Sequence, residues 1–441
     1  MPIRLLVLLV FASGIVQPAS ADDWPQWLGP KRDSVWREDG IVSEFPADGL
    51  KVKWRAPVEL GYSGPAVVDG RVYVHDYAQH TGEVSNSPGG RDALEGRERI
   101  LCLSAESGKE LWKHEYERQY KLSYPRGPRC TPTVDSGKVY TLGAEGDLVC
   151  LDALKGTVVW KMLLTDEYKV ATPVWGFTGH PLVDGDLLYC LVGGEGSVAV
   201  AFDKNTGKEV WRALTASEPG YCPPTMIEHA GQKQLLVWHP EALNSLNPLT
   251  GEVYWSVELK PSYGMSVTAP RKLGRQLYAS GHGKVAALLE LDDEKPAAKV
   301  VWRATPKSAV YSTNSTPFLA DGMIYGCDGD LGALMGARLS DGERLWQTYA
   351  PTAGGDRRVS HGTAFLVKHD DRFFLFSETG DLILAKLSRE GYDEISRFHV
   401  LEPTNEAFGR NVVWSHPAFA ARCLFARNDK EAVCVDLAAP R

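Results

Sequence analysis

The sequence predicts an all-β fold made of eight copies of one unit, each with four short strands. Two spacings that recur along the 441 residues support this prediction. A unit opens on Pro, passes through a turn such as Asp-Gly, and reaches an aromatic residue eight positions after the Pro; it closes on a Gly followed four positions later by a Trp. The opening pairs are Pro65/Tyr73, Pro132/Tyr140, Pro181/Tyr189, Pro270/Tyr278, Pro317/Tyr325 and Pro417/Phe425, and the closing pairs are Gly108/Trp112, Gly156/Trp160, Gly207/Trp211, Gly251/Trp255 and Gly342/Trp346. Self-similarity at roughly 40–50 residues indicates stacked repeats that bury their apolar faces against each other.

The third unit shows why each repeat is expected to contain four strands. Residues 180–183 and 187–191 flank Asp184-Gly185, and Asp-Gly is a preferred two-residue hairpin turn because both positions need positive φ. Further Gly-rich turns separate residues 197–202 from residues 209–213. These runs are short and rich in β-branched and aromatic residues, as in strands. Units of four strands predict a β-propeller, with one unit per blade.

The number of blades follows from the two ends of the repeat region. Residues 415–437 are long enough for only three strands, and residues 51–55 can supply the missing fourth strand from the other end of the chain. We therefore predict an eight-bladed propeller of four-stranded blades, closed by an N-terminal strand that joins the C-terminal blade and leaves no free edge. Seven blades is the alternative, if the degenerate fourth unit is not a full blade.

The regions outside the repeats are assigned from composition. Residues 1–21 have a charged start, an apolar stretch and Ala19-Ser20-Ala21, which predicts a signal peptide cleaved after Ala21 and an exported protein, periplasmic or secreted. Residues 22–50 are predicted to form an extended N-terminal arm whose aromatic residues pack on the surface of the propeller. Residues 51–441 form the propeller, and the insertion 75–98 in the first blade is expected to be a surface loop, either a lid or a tether.

Charge and hydropathy exclude several classes of partner. The net charge is −8 and no block of like charges stands out, which argues against nucleic acid as a partner. After residue 21 no segment approaches about 18 consecutive apolar residues, so we predict no membrane span. We expect a monomer whose partner, a small ligand or a protein, binds near the propeller axis.

The eight Cys residues are interpreted mainly as core residues. Cys102, Cys150 and Cys434 occupy the same strand position in three units, as small buried residues do. The sequence has no Cys-x-x-Cys, no adjacent Cys pair and no haem-attachment sequence. Cys130 and Cys222, which lie in equivalent loops, are the one pair considered for a disulfide.

The candidate site lies where the blades meet the axis. No established catalytic motif is present, so whether the protein is an enzyme stays open, with a non-enzyme favoured. In a propeller the links that lead from one blade's outer strand to the next blade's inner strand converge near the axis. Twelve residues of these inter-blade links are candidate ligand- or cofactor-binding residues: Arg126, Arg129, Trp175, His180, Tyr311, Asn314, Arg358, His361, Arg410, Asn411, Trp414 and His416. Their types supply stacking faces and bidentate anion contacts, although the same residues could simply plug the channel.

Three histidines of the inter-blade links are candidates for a metal site. His180, His361 and His416 hold matching positions, but blades three, seven and eight are not all adjacent, so we predict no metal site. Four acidic residues lie in the turns between second and third strands: Glu145, Glu195, Asp328 and Glu378. We expect them to form a solvated acidic rim.

Two stretches resemble a known repeat. Residues 146–160, which read Gly-Asp-Leu-Val-Cys-Leu-Asp-Ala-Leu-Lys-Gly-Thr-Val-Val-Trp, and residues 201–211, which read Ala-Phe-Asp-Lys-Asn-Thr-Gly-Lys-Glu-Val-Trp, are similar to the tryptophan-docking repeat of pyrroloquinoline-quinone (PQQ)-like propellers. The resemblance covers roughly residues 50–437. It implies a propeller whose Trp residues pack between blades.

The resemblance implies two very different functions. BamB-type assembly factors have this propeller without a cofactor and bind partner proteins, whereas quinoprotein alcohol and sugar dehydrogenases bind PQQ with calcium over the axis. The first hypothesis is accordingly a scaffold that binds a ligand or a protein through its axial face, with no cofactor assigned. The alternative is a PQQ-dependent oxidoreductase in which Trp175 or Trp414 stacks on the quinone and Arg126, Arg129 or Arg358 pairs with its carboxylates.

Overall fold

Eight four-stranded antiparallel sheets form a ring in the computed structural model, which describes residues 22–440. The prediction of an eight-bladed propeller is confirmed, and the seven-bladed alternative is wrong because the fourth unit is a complete blade. The expected signal peptide at 1–21 lies outside the described residues. Among residues 22–440, no helix is long and apolar enough to cross a membrane.

The strands are numbered in chain order, and each blade runs from the axis outward. Strand β1 (Val52–Pro57) precedes blade 1, which contains β2 (Ala66–Val68), β3 (Arg71–Thr81), β4 (Asp92–Ser104) and β5 (Glu110–Glu117), with β6 (Tyr120–Leu122) paired to β4. Blade 2 contains β7 (Thr133–Asp135), β8 (Lys138–Leu142), β9 (Asp147–Asp152) and β10 (Val158–Leu163), followed by the short helix α1 (Leu164–Glu167). Blade 3 contains β11 (Leu182–Asp184), β12 (Leu187–Leu191), β13 (Ala199–Asp203) and β14 (Glu209–Ala213), and blade 4 contains β15 (Thr225–His229), β16 (Gln232–His239), β17 (Ala242–Leu246) and β18 (Val253–Glu258).

The second half of the ring repeats this plan. A short 3₁₀ turn (Ser262–Gly264) leads to blade 5, which contains β19 (Arg271–Leu273), β20 (Gln276–Gly281), β21 (Val285–Leu291) and β22 (Ala298–Arg303). Blade 6 contains β23 (Phe318–Ala320), β24 (Met323–Asp328), β25 (Ala333–Arg338) and β26 (Arg344–Thr348), and blade 7 contains β27 (Ala364–His369), β28 (Arg372–Ser377), β29 (Asp381–Leu387) and β30 (Tyr392–His399). A separate hairpin of β31 (Asn405–Ala407) and β32 (Arg410–Val412) precedes β33 (Ala418–Ala420), β34 (Cys423–Arg427) and β35 (Glu431–Asp436).

Strand β1 closes the ring as the outermost strand of blade 8. It pairs antiparallel with β35, so that Trp54 lies opposite Cys434 and the sheet order is β1-β35-β34-β33. This pairing confirms the predicted closure. The first and last strands of the propeller region are hydrogen-bonded to each other, so that the ring cannot open without breaking a ladder.

The repeated Gly and Trp meet between blades rather than within one. Trp112 of blade 1 donates its Nε1–H to Ala153 O in blade 2 at 3.1 Å. Its indole lies on Gly156, whose φ is +69° and where a Cβ would come within 2.4 Å of the ring. A side chain at Gly156 would therefore separate the two blades. The same contact joins Trp54 to Gly108, Trp160 to Gly207, Trp211 to Gly251 and Trp302 to Gly342.

Blade 4 departs from this pattern. Trp255 donates to Gln234 Oε1 of its own blade at 3.0 Å instead of reaching a carbonyl of blade 5. The corresponding turn of blade 5, residues 292–297, reads Asp-Asp-Glu-Lys-Pro-Ala and offers no Gly beneath the indole. The junction between blades 4 and 5 thus lacks the contact that joins the regular blades.

The N-terminal arm, residues 22–50, crosses one end of the ring. Its backbone pairs with blade 1 through Trp24 and Val67, in two hydrogen bonds of 2.8 Å, and with blade 7 through Trp36 N and Lys368 O at 2.9 Å. Arg32 reaches blade 3, where it donates to His180 O at 3.1 Å. The arm's aromatic residues Trp24, Trp27, Trp36 and Phe45 are buried between the arm and the blades.

The insertion in blade 1 is a hairpin rather than the expected surface loop. Strands β3 and β4 continue well beyond the blade and stay paired from Tyr77 and Glu98 to Thr81 and Glu95. Strand β6 adds a third strand through Ala93 and Lys121. Only the turn 82–91 is irregular, and this turn is called the cover segment below.

All eight Cys residues are buried and unbridged, in accordance with their interpretation as core residues. The one pair considered for a disulfide is not joined. The Cys130 thiol lies 3.7 Å from Phe177 O, whereas the Cys222 thiol lies 3.4 Å from Thr268 O.

Candidate functional site

A cavity of about 690 Å³ lies on the axis, where the inter-blade links converge. Seven of the twelve predicted site residues line it: Arg129, Trp175, His180, Asn314, His361, Trp414 and His416. Most of the remaining wall is aromatic or apolar and includes Tyr62, Tyr124, Tyr221, Tyr263 and Phe408. The geometry of the fold therefore gathers side chains from distant blades around one concave, largely apolar space.

The N-terminal arm closes one end of this cavity. Trp27 of the arm stacks on His180, with ring centroids 4.8 Å apart and planes at 11°, and meets His416 edge-on at 5.8 Å. The Arg32 guanidinium lies 5.6 Å from the Trp27 ring centroid, which adds a cation–π contact. Trp27 thus acts as a plug, and the cavity is a pocket rather than an open channel.

The histidines of the cavity are neutral at physiological pH. Burial lowers the pKa of His180 well below its ordinary value, lowers that of His416 to about 3, and lowers that of His361 to about 4. His180 Nδ1 accepts a hydrogen bond from the Thr131 N–H at 2.8 Å, so the proton of the neutral ring is on Nε2. These rings therefore act as polar, uncharged surfaces and not as anion-binding cations.

One wall is a column of stacked rings. His282 and His361 lie 5.4 Å apart at 21°, and His361 and Phe408 lie 4.7 Å apart at 7°. Phe408 is the tip of the β31–β32 hairpin, and Trp414 follows at 6.3 Å. Flat rings presented in this order offer a stacking surface for a planar or apolar group.

The cover segment lies over the opening of the cavity. Pro88 and Gly89 line the cavity from above, and Gly89 N–H donates to Ser123 Oγ at 3.2 Å. Asn86 Nδ2 donates to Glu406 O at 2.5 Å on the β31–β32 hairpin. Polar contacts thus hold the cover segment against the link before blade 2 on one side and against the β31–β32 hairpin on the other.

Five predicted site residues do not line the cavity, and four of them make other contacts instead. Arg126 pairs with Asp429 at 3.4 Å, and Arg410 pairs with Glu378 at 2.8 Å. The Tyr311 hydroxyl donates to Thr305 O beside the Arg344 guanidinium. The other two are solvent-exposed: Arg358, which donates to Asp330 O at 2.8 Å, and Asn411 on β32.

The prediction of a solvated acidic rim is wrong for two of the four residues. Asp328 and Glu378 are each 1% exposed. Asp328 pairs with Arg344 at 3.1 Å, and Glu378 accepts from Arg410 and, at 3.0 Å, from the Trp414 indole N–H. Burial raises the pKa of Glu378, and the Arg410 guanidinium opposes that rise. Glu378 therefore positions a ring of the cavity wall instead of facing water.

Several lining residues were missed by sequence reasoning. Trp27 belongs to the arm, which lies outside the repeat, so no spacing marked it. His282 lies in the turn between β20 and β21 and not in an inter-blade link, whereas Phe408 lies at the tip of the β31–β32 hairpin, within the link from blade 7 to blade 8. Glu218 carried a weak signal, because it lies three residues before Tyr221 in the link that enters blade 4.

The charged groups of the lining do not fit PQQ with calcium. Among the described residues that line the cavity, only Arg129 and Glu218 carry a formal charge at neutral pH. Arg129 already donates to the carbonyls of Ser123 and Tyr124. Calcium needs six to eight oxygen ligands, and within residues 22–440 no group of three or more His, Cys, Asp or Glu is arranged to hold a metal. The three carboxylates of PQQ would therefore lack cationic partners in this cavity, and a calcium ion would lack oxygen ligands.

Comparisons with known proteins place the chain among PQQ-like propellers. A quinohemoprotein alcohol dehydrogenase (ADH IIB) of Pseudomonas putida is 29% identical over 169 residues, which are 36% of this chain and 22% of that protein. A second one (ADH-IIG) of the same organism is 27% identical over 256 residues, 51% of this chain and 32% of that protein. The chain thus spans about a third or less of the length of these curated relatives.

Two solved structures share the fold at low identity. BamB from Moraxella catarrhalis superposes with a TM-score of 0.55 at 16% identity, over 89% of this chain and 99% of that chain. A quinohemoprotein alcohol dehydrogenase from Comamonas testosteroni superposes with a TM-score of 0.58 at 13% identity, over 95% of this chain and 81% of that chain. The family described as outer membrane protein assembly factor BamB matches residues 96–287 and 239–441, well over half of the sequence. The chain therefore belongs to this family of PQQ-like β-propellers.

Proposed function

We propose that the protein is a non-catalytic propeller that binds a small organic ligand with an apolar or aromatic body in its axial cavity. The observation that carries this proposal is the concave cavity of about 690 Å³, walled largely by aromatic rings and plugged at one end by Trp27. Concave apolar pockets with a few convergent polar groups are the usual form of ligand sites. The axial face is then the ligand-binding surface of the molecule, as the scaffold hypothesis predicts.

The chemistry of the lining favours binding over catalysis. The described lining residues include no Ser, Cys or Lys that could serve as a nucleophile. His361 and His416, with pKa values lowered to about 4 and about 3, are weak bases at neutral pH, where a general base works best near pH 7. The same groups are well suited to hydrogen-bond a neutral or polar ligand.

We further propose that the protein is exported, to the periplasm or the medium. The signal-like pattern of residues 1–21 supports this assignment, and so does the description of the matching family as an outer membrane assembly factor. Mass spectrometry of the protein purified after expression with its full N-terminus tests it. A mature chain beginning at Asp22 is expected, and an intact residue 1 in the soluble cell fraction would contradict export.

The ligand-binding proposal is tested with a neutral fluorescent probe, N-phenyl-1-naphthylamine. The purified protein is expected to bind this probe saturably, because its rings match the stacking walls of the cavity. Val267→Phe places a ring inside the cavity and is expected to weaken binding at least tenfold. The matched control Val253→Phe, at a position that is 44% exposed on β18, is expected to leave binding unchanged.

Two outcomes would overturn the proposal. Equal binding by Val267→Phe and the parent protein would place the probe outside the cavity. Dye-linked alcohol oxidation by the protein after loading with PQQ and Ca²⁺ would establish the quinoprotein dehydrogenase alternative instead. In that case the positions of Trp175 and Trp414 in the cavity wall would have to be re-examined as quinone contacts.

A further inference from the structure

We propose that one corner of the axial cavity, formed by Trp175, Tyr221 and Glu218, binds the ammonium group of an organic cation. The inference rests on the proposed function, because it names the chemical class of the ligand in the same cavity. The ligand would carry a primary to quaternary ammonium group on an apolar body.

The two rings meet at one corner of the cavity. Trp175 and Tyr221 have centroids 5.3 Å apart and planes at 68°, so they are in edge-to-face contact. Both rings line the cavity, but Tyr221 is only 1% exposed whereas Trp175 is partly accessible. An aromatic face attracts a cation through its quadrupole, so the Trp175 ring is the surface on which an ammonium group would lie.

A carboxylate completes the corner. Glu218 also lines the cavity, and its Oε2 accepts a hydrogen bond from the Tyr221 hydroxyl at 3.1 Å. This bond holds the acid beside the two rings and polarises the phenol ring. A cation at this corner would therefore contact the Trp175 ring and lie next to a negative charge, which Tyr221 holds in place.

Within the described residues, Glu218 has no ion-pair partner of its own. Burial raises the pKa of the Glu218 carboxyl, and nearby Glu241 raises it further. The one cation that acts on it, Arg91, lies in the cover segment and donates instead to Lys121 O and Thr172 O, each at 3.1 Å. A partly buried carboxylate without a close counter-charge is costly, and a cationic ligand would supply the missing charge.

The other charged and titratable groups of the lining do not oppose a cation. Burial lowers the pKa of all four lining histidines, His180, His282, His361 and His416, and so favours their neutral forms. Arg129, the one basic lining residue, enters from the link before blade 2, whereas Glu218 enters from the link before blade 4. Arg129 lies over Tyr62, 5.0 Å from its ring centroid, at that separate part of the wall.

The test compares a cation with its neutral isostere. Phenyltrimethylammonium and tert-butylbenzene have nearly the same shape, and each is titrated as a competitor of bound N-phenyl-1-naphthylamine. We expect the cation to bind the parent protein at least tenfold more tightly than the isostere. Glu218→Gln is expected to lower the affinity for the cation at least tenfold and to leave that for tert-butylbenzene unchanged.

A matched control removes a carboxylate elsewhere. Glu228→Gln changes an exposed acid on β15 and is expected to alter neither affinity. Trp175→Leu keeps an apolar wall but removes the ring, so it is expected to lower the affinity for the cation more than the affinity for the neutral isostere. Melting temperatures of all variants establish that each one is folded.

The outcomes separate this inference from the proposed function. Equal affinity for both competitors in the parent protein, or an unchanged affinity for the cation in folded Glu218→Gln, would overturn the cation site while leaving a neutral ligand site intact. Failure of the probe and of both competitors to bind would overturn the proposed function, and the cation site with it.

Discussion

At the rim of the propeller, the same contact joins the blades at five of the eight junctions, whereas at the axis the links differ from blade to blade. The rim contact places a Trp of one blade on a Gly of the next, as with Trp160 and Gly207. The axis instead combines rings, neutral histidines and one carboxylate, Glu218, which come from several links, from hairpin turns and from the N-terminal arm. Repetition therefore serves stability at the rim, and the absence of repetition at the axis makes a site with distinct corners.

Removal of a rim indole is expected to have the largest effect. Trp160→Ala should lower the free energy of unfolding by about 3–5 kcal/mol, because it leaves a cavity between blades 2 and 3 and frees Lys204 O from its 3.0 Å hydrogen bond. Urea titration followed by circular dichroism measures this change. Leu154→Ala, at a side chain that is 63% exposed in the same blade, is the control and should change stability by less than about 0.5 kcal/mol. A loss below about 1 kcal/mol in Trp160→Ala would show that the rim contact does not hold the blades together.

The axis should set the pH dependence of stability. Burial lowers the pKa of His361 to about 4, so the unfolded chain binds a proton that the folded protein rejects between pH 6.5 and 4. Stability is therefore fully present above pH 6.5 and is lost as the pH falls toward 4, by up to about 3 kcal/mol for this group. His361→Phe keeps the stacking on Phe408 and should reduce the pH dependence of the urea midpoint over this range, while His180 and His416 maintain the remainder. His80→Phe, at an exposed site on β3, should leave the pH profile unchanged, and an equal flattening in both variants would contradict the assignment.

Two glycines of blade 2 separate the energetic cost of a steric clash from the cost of backbone strain. Gly156 and Gly137 both have positive φ, +69° and +74°, so Ala costs about 1 kcal/mol at either position. Only at Gly156 would the new Cβ meet a neighbour, the Trp112 ring at 2.4 Å, whereas nothing lies within 4 Å of the Cβ position at Gly137. Gly156→Ala should therefore destabilise the protein by about 2 kcal/mol more than Gly137→Ala in urea titrations. Equal losses would mean that the indole can move away without cost.

The cover segment should give the smallest effect. Asn86→Ala removes one anchor of this segment to Glu406 O and should speed release of N-phenyl-1-naphthylamine about fivefold, as expected for a hydrogen bond of about 1 kcal/mol. Stopped-flow dilution measures the release rate. Asn205→Ala, which removes a hydrogen bond with Lys138 at the rim, is the matched control and should leave release unchanged. Unchanged release in Asn86→Ala would mean that the cover segment does not limit exit.

The sequence predicted which residues lie near the axis, but it did not predict which partners their side chains contact. His180 and Trp414 were predicted because the inter-blade links of any propeller converge on the axis, and both line the cavity. Arg410 was predicted by the same reasoning, yet buried Glu378 takes its guanidinium out of the cavity. Whether a long side chain faces the axis depends on a partner from another blade, which the spacing of the repeat does not encode.

The sequence by itself determined the eight blades, the ring closure by β1 and the Trp residues of the rim. These features follow from local strand and turn preferences repeated at one period, so a single chain shows them several times over. Only the tertiary structure decided that Trp27 plugs the axis, that the insertion becomes a paired hairpin over the cavity, and that Trp175, Tyr221 and Glu218 share a corner. Such contacts occur once and join distant positions, as Arg32 joins His180 and Asn86 joins Glu406, so packing and not periodicity selects them.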